Sequence, residues 1–442
     1  MPTSCTVARD EWARRAQAVL PGGVLSRYVL SRPVVTRRGR GARLYDTEGN
    51  EYIDYSMGGG SILLGHASAV VNDAIRSQID DGIQFFSIVN TRAIELAERL
   101  VQVIPCAEQA RFTVSGSEAI AGATRIARVT TGRRLVLKFE GAYHGNHDPQ
   151  LLSVGGASGE PSREPVPDSE GIAPGATKDV VLAPFNDLDA TREIVRRHAK
   201  DLAAVFVEPV QRYLPPAPGF LEGLRALATE VGSLLVYDEI VTGFRIDYRG
   251  AQGKYGTVPD LAVYGKVLGG GIPIGAICGV RDVMQNADPT RDKKRHAVQT
   301  GTLNGNPLGC AVALAMMNHL SDGQIYSRLD ALSARLREGL QRIFAEEGLD
   351  AHVHGLGSLW HVLFQRERAA TFAGTLRADR TRLLAFQQGL LDNGIYVVPG
   401  VRSFVSAAHT SDDIDRTLEV ARQVVKDRAS HATSRRSFEH DR

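Results

Sequence analysis

The segment Leu234-Leu235-Val236-Tyr237-Asp238-Glu239 joins four apolar residues to two acids, and Leu261-Ala262-Val263-Tyr264-Gly265-Lys266 joins a second apolar run to a lysine. Apolar runs that end in glycine or an acid are typical of interior parallel strands. Ligands of open α/β sheets bind where such strands end. The two segments therefore predict a sheet whose carboxyl edge carries Asp238, Glu239 and Lys266.

Lys266 has a structural and a chemical interpretation. The Gly-Lys pair does not fit a phosphate-binding loop, because Val267 stands where Ser or Thr would bind magnesium and Asp260 replaces the first glycine. A lysine at a strand end is usually a solvated surface residue. Between an apolar strand and Gly269-Gly270-Gly271, however, the amine is expected to be buried. Burial favours the neutral amine, which condenses with a carbonyl. On this interpretation Lys266 forms an imine, and Asp238 keeps a ring nitrogen protonated.

Composition limits the classes of function. The 442 residues are 43% hydrophobic and 23% charged, with 52 Lys and Arg against 50 Asp and Glu. This balance favours neither a nucleic-acid partner nor a membrane surface. The first residues do not form a signal peptide, and no apolar run approaches the roughly 20 residues that span a bilayer. The four cysteines lack metal-ligand spacing, so we expect a reduced, cytoplasmic location.

The pattern along the chain predicts a large and a smaller domain. Residues 1–66 carry short strand signals, including Val34-Val35-Thr36, and contribute to the small domain. Residues 67–322 alternate strands with helices, as in a doubly wound α/β sheet. Residues 323–428 form a second α/β set, and 429–442 are expected to be disordered.

Three further segments are candidates for binding. Ser115-Gly116-Ser117 lies between a strand and a small-residue helix, where backbone N–H groups could hold an anion, although a simple helix cap is the commoner explanation. Tyr143 could lie flat against an aromatic ring. His144 and His147 suggest a metal, but no third ligand occurs at suitable spacing, and we predict none. Residues 155–177 are rich in Gly, Pro and Ser and predict a long surface loop.

Taken together, the motifs resemble class III pyridoxal-phosphate aminotransferases, most closely the glutamate-1-semialdehyde aminomutase branch. The resemblance covers nearly the whole chain, and the set of motifs is far more specific than any one of them. The motifs that carry it are Ser115-Gly116-Ser117-Glu118-Ala119, Gly141-Ala142-Tyr143-His144-Gly145, Glu208-Pro209-Val210, Asp238-Glu239-Ile240-Val241-Thr242-Gly243-Phe244-Arg245, Gly265-Lys266 and Gly301-Thr302-Leu303-Asn304-Gly305-Asn306-Pro307.

The resemblance implies the type I aminotransferase fold, with a mostly parallel seven-stranded sheet in the large domain and a smaller α/β domain formed by both termini. It implies pyridoxal 5′-phosphate as cofactor and a homodimer with active sites at the subunit interface. Lys266 would be the Schiff-base lysine and the proton-moving base, and Asp238 would pair with the pyridine N–H. Thr302 would reach the phosphate of the other subunit. The predicted cofactor-binding residues are Ser115, Gly116, Ser117, Tyr143, His144, Glu208, Asp238, Ile240, Lys266 and Thr302.

Two departures from the aminomutase pattern bear on the reaction. Aminomutases usually read Pro-Gly-Gly-Val-Asn-Ser-Pro-Val-Arg near the start, with the arginine holding the substrate carboxylate. This chain reads Pro21-Gly22-Gly23-Val24-Leu25-Ser26-Arg27, as in relatives that transaminate β-amino acids. The aminomutase gate, Phe-Glu-Ala-Gly-Phe, is replaced by a shorter stretch without glutamate, Val398-Pro399-Gly400-Val401-Arg402-Ser403-Phe404. Arg27 and Arg402 could each bind a carboxylate, although either could equally be a surface residue.

These departures favour a ping-pong aminotransferase that moves an amino group from an amino donor to a keto or aldehyde acceptor. The arginines indicate an acceptor with a carboxylate, such as a β-keto or aromatic keto acid. The main alternative is a glutamate-1-semialdehyde 2,1-aminomutase, an isomerase. A non-catalytic protein that binds pyridoxal phosphate is a further alternative from another class.

Overall fold

The computed structural model describes residues 4–155, 164–291 and 296–439, and the side chains of 11–155, 164–291 and 296–427. The strands are β1 Thr36–Arg40, β2 Arg43–Asp46, β3 Glu51–Asp54, β4 Gln109–Thr113, β5 Leu135–Phe139, β6 Val180–Ala183, β7 Leu202–Val207, β8 Leu234–Asp238, β9 Leu261–Tyr264, β10 Gly275–Gly279, β11 His352–His354, β12 Leu359–Leu363, β13 Ile395–Tyr396 and β14 Ser403–Phe404. The helices are α1 Ser4–Val19, α2 Met57–Gly60, α3 Ala69–Ile79, α4 Thr91–Val103, α5 Gly116–Thr131, α6 Leu188–Arg197, α7 Phe220–Val231, α8 Gly250–Tyr255, α9 Arg281–Met284, α10 Pro307–Leu320, α11 Gln324–Glu346, α12 Phe372–Thr375, α13 Arg380–Asp392 and α14 Ser411–Glu439.

The chain divides into two compact units. The first comprises residues 1–68, 327–368 and 378–442, and the second comprises 69–326 and 369–377. The second unit therefore takes in a short piece of the C-terminal part of the chain, which carries α12. In the described part of the chain, no helix is long and apolar enough to cross a membrane.

The second unit is built on a seven-stranded sheet with the order β4-β10-β9-β8-β7-β5-β6. Strand β10 is antiparallel to both of its neighbours, and the pairings among the other strands are parallel. Every residue of β5 and β7 is buried, which explains the unbroken apolar sequence of β7. The one charged residue of β5 is Lys138, whose Nζ donates to the Gln150 and Leu152 carbonyls. The predicted α/β fold with a mostly parallel seven-stranded sheet is confirmed.

The helix α5 is fixed at both ends by local chemistry. Ser115 caps its start, because the hydroxyl oxygen accepts the Glu118 N–H, and the Glu118 carboxylate accepts the Val114 N–H. Gly132 ends it in the left-handed conformation. One face of α5 lies in the core with Ile120, Ile126 and Ile277. The sheet and helix thus hold the segment 115–117 in place.

The first unit contains two small sheets, β1-β2-β3-β13 and β11-β12-β14. Strands β2 and β3 form a hairpin, whose turn is stabilised by the Asp46 carboxylate accepting the Glu48 and Asn50 N–H groups. Helix α14 extends into the segment 429–442, whose disorder stays a prediction. Residues 156–163 of the predicted loop 155–177 lie outside the described residues, and so do 440–442.

Candidate active site

Six of the seven strands described in this sheet end at the same edge, and five of them, all but β6, are followed by predicted residues. Strands β5, β7, β8 and β9 are parallel, and β4 has their direction because both β4 and β9 are antiparallel to β10. The residues that follow these ends carry the predicted chemistry. They are Ser115–Ser117 after β4, Gly141–His144 after β5, Glu208 after β7, Asp238–Ile240 at β8 and Lys266 after β9. The fold therefore brings all of the predicted cofactor residues except Thr302 to one edge of the sheet.

Asp238 is held by two donors at the end of β8. Its Oδ2 lies 2.7 Å from His144 Nδ1, and its Oδ1 accepts the Ile240 N–H at 3.1 Å. Only 4% of Asp238 is exposed, and His144 is fully buried. A carboxylate can only accept, so His144 Nδ1 carries the proton that is shared between them. A buried, oriented carboxylate of this kind is suited to a cationic ring N–H.

Lys266 begins a short 3₁₀ turn directly after β9. Its φ of +43° lies in the region that favours glycine, so the backbone there is strained. The residue is half-buried, whereas Tyr264, Val267 and Leu268 are fully buried. The chain thus turns sharply at Lys266 within apolar surroundings, but the residue itself is less buried than its sequence context predicts.

The start of α5 forms a cradle lined by small residues. A Cβ built on Gly116 would lie 2.4 Å from Ile240 Cδ1, and a Cβ on Gly145 would lie 2.6 Å from Ser117 Oγ. Ser117 Oγ also accepts the Asn146 N–H at 3.3 Å. Gly116 and Gly145 have no room for a side chain, and the N–H groups at the start of this 16-residue helix suit an anion.

Tyr143 and Glu208 are joined through the backbone. The Tyr143 N–H donates to Glu208 Oε2 at 3.2 Å, and 39% of Tyr143 is exposed while Glu208 is buried. The guanidinium of Arg212 lies 5.6 Å from the centroid of the Tyr143 ring. An exposed ring held in this way could cover the face of an aromatic cofactor.

Thr302 is an exposed residue of the turn 302–305, which does not directly follow any of those strands. Its carbonyl accepts a hydrogen bond from the Gln84 side chain. Arg27 and Arg402 belong to the first unit. Arg27 is exposed, with its guanidinium 5.6 Å from the Tyr28 ring centroid, and Arg402 is half-buried directly before β14. Their substrate-binding role stays a prediction.

Two groups near these strand ends were not among the predicted cofactor and substrate residues. Arg212 is one, because its contact with Tyr143 depends on a loop conformation that no sequence pattern indicates. Glu239 is the other: burial raises the pKa of its carboxyl to about 7, although the Thr242 hydroxyl and the Ala251 N–H donate to it. Among the described side chains, no group of three or more His, Cys, Asp or Glu residues could hold a metal.

A profile of the family described as "Aminotransferase class-III" matches residues 25–425. The chain belongs to the class III aminotransferase family. It is 40% identical, over 93% of its length and 96% of the relative's, to a glutamate-1-semialdehyde 2,1-aminomutase of Desulfitobacterium hafniense. An omega-transaminase from Sphaerobacter thermophilus superposes with a TM-score of 0.88 at 33% identity, covering 95% of this chain and 97% of that one. A β-phenylalanine aminotransferase from Variovorax paradoxus gives a TM-score of 0.85 at 29% identity, covering 97% and 96%.

This class III enzyme therefore uses pyridoxal 5′-phosphate as its cofactor. The side chains at the sheet edge fit that group. The small-residue cradle at Gly116 and Ser117 matches a phosphate, the buried Asp238 matches a protonated ring nitrogen, and Lys266 supplies an amine. The predicted family and cofactor are confirmed, whereas the individual contacts remain predictions.

Proposed function

We propose that this protein is a two-substrate aminotransferase that moves an amino group from an amino donor to a keto or aldehyde acceptor bearing a carboxylate. The observation that carries the proposal is the stretch 398–404. A mutase must retain its diamino intermediate through both halves of its reaction, and its gate helps it to do so. In this chain that stretch has no glutamate, and it is about two residues shorter than the corresponding stretch of the aminomutase pattern.

The geometry of residues 398–404 supports the absence of a gate there. Gly400 has a φ of +69°, and its N–H donates to Gln387 Oε1 at 2.8 Å. The Val401 N–H donates to the Val398 carbonyl at 3.2 Å, and β14 begins at Ser403. The stretch is therefore a tight turn that runs directly into a strand, which leaves little chain for a flap.

Pyridoxal phosphate, when bound, supplies an electron sink for the carbanion that forms when a proton leaves the substrate. Lys266 Nζ would hold the cofactor through its carbonyl carbon and, as a free amine, would take the proton from the amine-bearing carbon of the donor and return a proton in the second half of the reaction. The Asp238 carboxylate would accept the ring N–H, and His144 Nδ1–H keeps that carboxylate oriented. Tyr143 and Ile240 would flank the ring.

Arg27 and Arg402 are the proposed substrate-binding residues. A guanidinium can hold a carboxylate by two parallel hydrogen bonds, which fixes the orientation of the acceptor as well as its charge. The Ser26-Arg27 arrangement favours a β-keto acid or an aromatic keto acid as the acceptor.

The exposed apolar residues around Thr302 support a homodimer whose partner subunit receives Thr302 at its phosphate. Phe86, Ile88 and Val89 are 60%, 73% and 77% exposed, and Leu303 is 50% exposed. Side chains of Phe86, Ile88 and Val89 line a cavity of about 560 Å³ together with the residues 299–301 that lead into the Thr302 turn. Apolar surface of this extent is rarely left in water.

A cytoplasmic location is proposed from the cysteines. Cys106, Cys278 and Cys310 are free and buried, and burial raises the pKa of the Cys278 and Cys310 thiols to about 12. Such thiols are inert and fit a reducing compartment.

The second candidate is a glutamate-1-semialdehyde 2,1-aminomutase, favoured by the 40% identity to the Desulfitobacterium hafniense enzyme over most of both chains. A turnover experiment without an external donor distinguishes the two. The pyridoxamine form is mixed with an excess of glutamate 1-semialdehyde, whose aldehyde can accept the amino group. Formation of 5-aminolevulinate over many turnovers would contradict the aminotransferase proposal. Stoichiometric conversion of the cofactor by an amino donor, reversed by a carboxylated ketone, would support it.

A further inference from the structure

Arg212 occupies a position where glycine would be expected. It is the first central residue of the turn 211–214, which is closed by the Leu214 N–H donating to the Gln211 carbonyl at 2.8 Å. Its φ of +59° lies in the left-handed region, which an arginine adopts only at a cost in free energy. Contacts made elsewhere by the side chain must offset that cost.

The guanidinium makes those contacts at both ends of one segment. Arg212 Nε donates to the Gly141 carbonyl at 2.8 Å, and Nη2 donates to the Val154 carbonyl at 3.2 Å. The Gly141 N–H donates to the Ser153 carbonyl at 2.8 Å, so the two ends already lie side by side. Arg212 thus fastens the base of the segment 141–154, which carries Tyr143 and His144.

The same guanidinium lies over Tyr143. Its Cζ is 5.6 Å from the ring centroid, within the range of a cation–π interaction. Glu208, just before this turn, accepts the Tyr143 N–H. The segment after β7 therefore holds Tyr143 twice, by its backbone through Glu208 and by its ring through Arg212.

We infer that Arg212 is a positioning residue that holds the Tyr143 ring against the cofactor. The inference rests on the proposed function only in that Tyr143 covers one face of the cofactor ring; it applies equally to a transaminase and to an aminomutase. The strained backbone at Arg212 places a cation over the Tyr143 ring, which is 39% exposed at the residue level.

A double-mutant cycle tests this coupling with full-length protein. The dissociation constant of pyridoxal phosphate and the visible circular dichroism of the bound cofactor are measured for wild type, Arg212→Gln, Tyr143→Ala and the double variant. We expect Arg212→Gln to weaken cofactor binding by about 5-fold and to change the dichroism when Tyr143 is present. In the Tyr143→Ala background, the same substitution should change the affinity less than about 2-fold.

Three further variants separate positioning from folding. Arg212→Gly removes the backbone strain together with the side-chain contacts that offset it, so the melting temperature of the apoprotein should change little, whereas cofactor binding should weaken as in Arg212→Gln. Arg212→Lys keeps a cation and should restore part of the affinity. Arg133→Gln is the matched control. Arg133, which precedes β5, also donates to backbone carbonyls, including those of Val231 and Gly232, but it does not bind the 141–154 segment.

The possible failures are distinct. Equal losses of affinity with and without Tyr143 would contradict the inference and leave the proposed function standing. If Tyr143→Ala itself leaves cofactor affinity and dichroism unchanged, the placement of Tyr143 against the ring is wrong, and the inference is wrong with it. A rise in KM for carboxylated acceptors at unchanged cofactor affinity would instead make Arg212 a substrate-binding residue.

Discussion

The Nδ1 atom of His144 lies 2.7 Å from the Oδ2 atom of Asp238, and both side chains are buried where β5 and β8 end. The carboxylate is held on its other oxygen by the Ile240 N–H. His144 and the Ile240 N–H therefore fix the orientation of the Asp238 carboxylate. Such preorganisation lets a group interact without first being reoriented.

Replacing His144 should weaken the cofactor site without removing it. His144→Leu removes a hydrogen bond to a charged group, worth about 1.5–3 kcal/mol, so we expect cofactor affinity to fall by about 10-fold or more. The measurement is a titration of the apoprotein with pyridoxal phosphate, followed by absorbance. His319→Leu, at an exposed position on α10, is the control and should bind normally. Unchanged affinity in His144→Leu would mean that the Asp238 carboxylate does not depend on the imidazole.

Adding one methyl group at Gly116 should disturb the phosphate cradle. The new Cβ would lie 2.4 Å from Ile240 Cδ1, and overpacking of this kind costs about 1–3 kcal/mol. We predict that Gly116→Ala lowers cofactor affinity about 5- to 100-fold, whereas Gly175→Ala, with open space around it, has no effect. Adding Ile240→Val removes the clashing Cδ1 and should restore part of the affinity. Absence of any such rescue would contradict the proposed contact.

The acceptor's carboxylate should make its binding depend on Arg27 or Arg402. Losing a two-pronged, charge-assisted hydrogen bond costs about 1.5–3 kcal/mol, so Arg27→Gln or Arg402→Gln should raise KM for a carboxylated keto acceptor by about 10- to 100-fold. Activity with an uncharged ketone should change little, which makes that ketone the internal control. Equal effects on charged and uncharged acceptors would argue that both arginines have only a structural role.

A charge introduced into the apolar surface near Thr302 should disrupt the proposed dimer. Val89 is 77% exposed, and Val89→Asp would place a carboxylate where we expect the partner subunit. We predict a shift from dimer to monomer in sedimentation, together with weaker phosphate binding. Val258→Asp, at a 40% exposed position before β9, is the control. A monomeric wild type, or a Val89→Asp variant that remains a stable dimer, would contradict the proposed interface.

Acid should destabilise the first unit through its buried histidines. Burial, with the nearby charges of His354 and Arg402, lowers the pKa of His361 to about 3, and burial lowers the pKa of His409 to about 4. The unfolded chain takes up these protons below pH ~6.5, so the free energy of unfolding falls by about 1.4 kcal/mol per pH unit for each histidine as pH drops towards 4. Glu239 acts in the opposite direction, because burial raises the pKa of its carboxyl to about 7.

Comparing variants cancels the Glu239 contribution. His361→Gln should show a shallower loss of stability between pH 6.5 and 4 than wild type, whereas the exposed His319→Gln should match the wild-type slope. Denaturant unfolding at a series of pH values measures both. Parallel curves for wild type and His361→Gln would show that His361 takes up its proton in the folded protein as readily as in the unfolded chain.

The core strands could be predicted because a strand that is buried on both faces consists of consecutive apolar residues. Strands β7, β8 and β9 are of this kind. Strand β1 does not have such a sequence. The apolar residues Val34-Val35-Thr36 predict a strand that begins two residues too early, and the strand itself is the mostly exposed Thr36–Arg40. Its extent is set by pairing with β2, which the sequence of β1 does not encode. Gly275–Gly279 likewise carries no strand pattern, yet it forms the antiparallel β10.

The residues of the candidate site likewise include some whose positions could be predicted from the sequence and some whose positions could not. Lys266, Asp238 and the Ser115–Ser117 segment directly follow strands or begin a helix, so their positions follow from the topology. Arg212 does not, because its role depends on a φ of +59° and on carbonyl groups contributed by a distant segment. Substrate recognition is predicted from Arg27 and Arg402 through family resemblance alone, since neither follows a strand of the seven-stranded sheet.

Reduction with borohydride shows whether Lys266 holds the cofactor covalently. Wild-type protein is loaded with pyridoxal phosphate, reduced, digested and analysed by mass spectrometry, alongside Lys266→Ala. The cofactor mass is expected on the peptide that contains Lys266 in wild type and on no peptide of Lys266→Ala. The fully buried Lys138, whose pKa burial lowers to about 7, is the natural competitor for the carbonyl. A cofactor mass on the Lys138 peptide of wild type, or an adduct that persists in Lys266→Ala, would contradict the assignment.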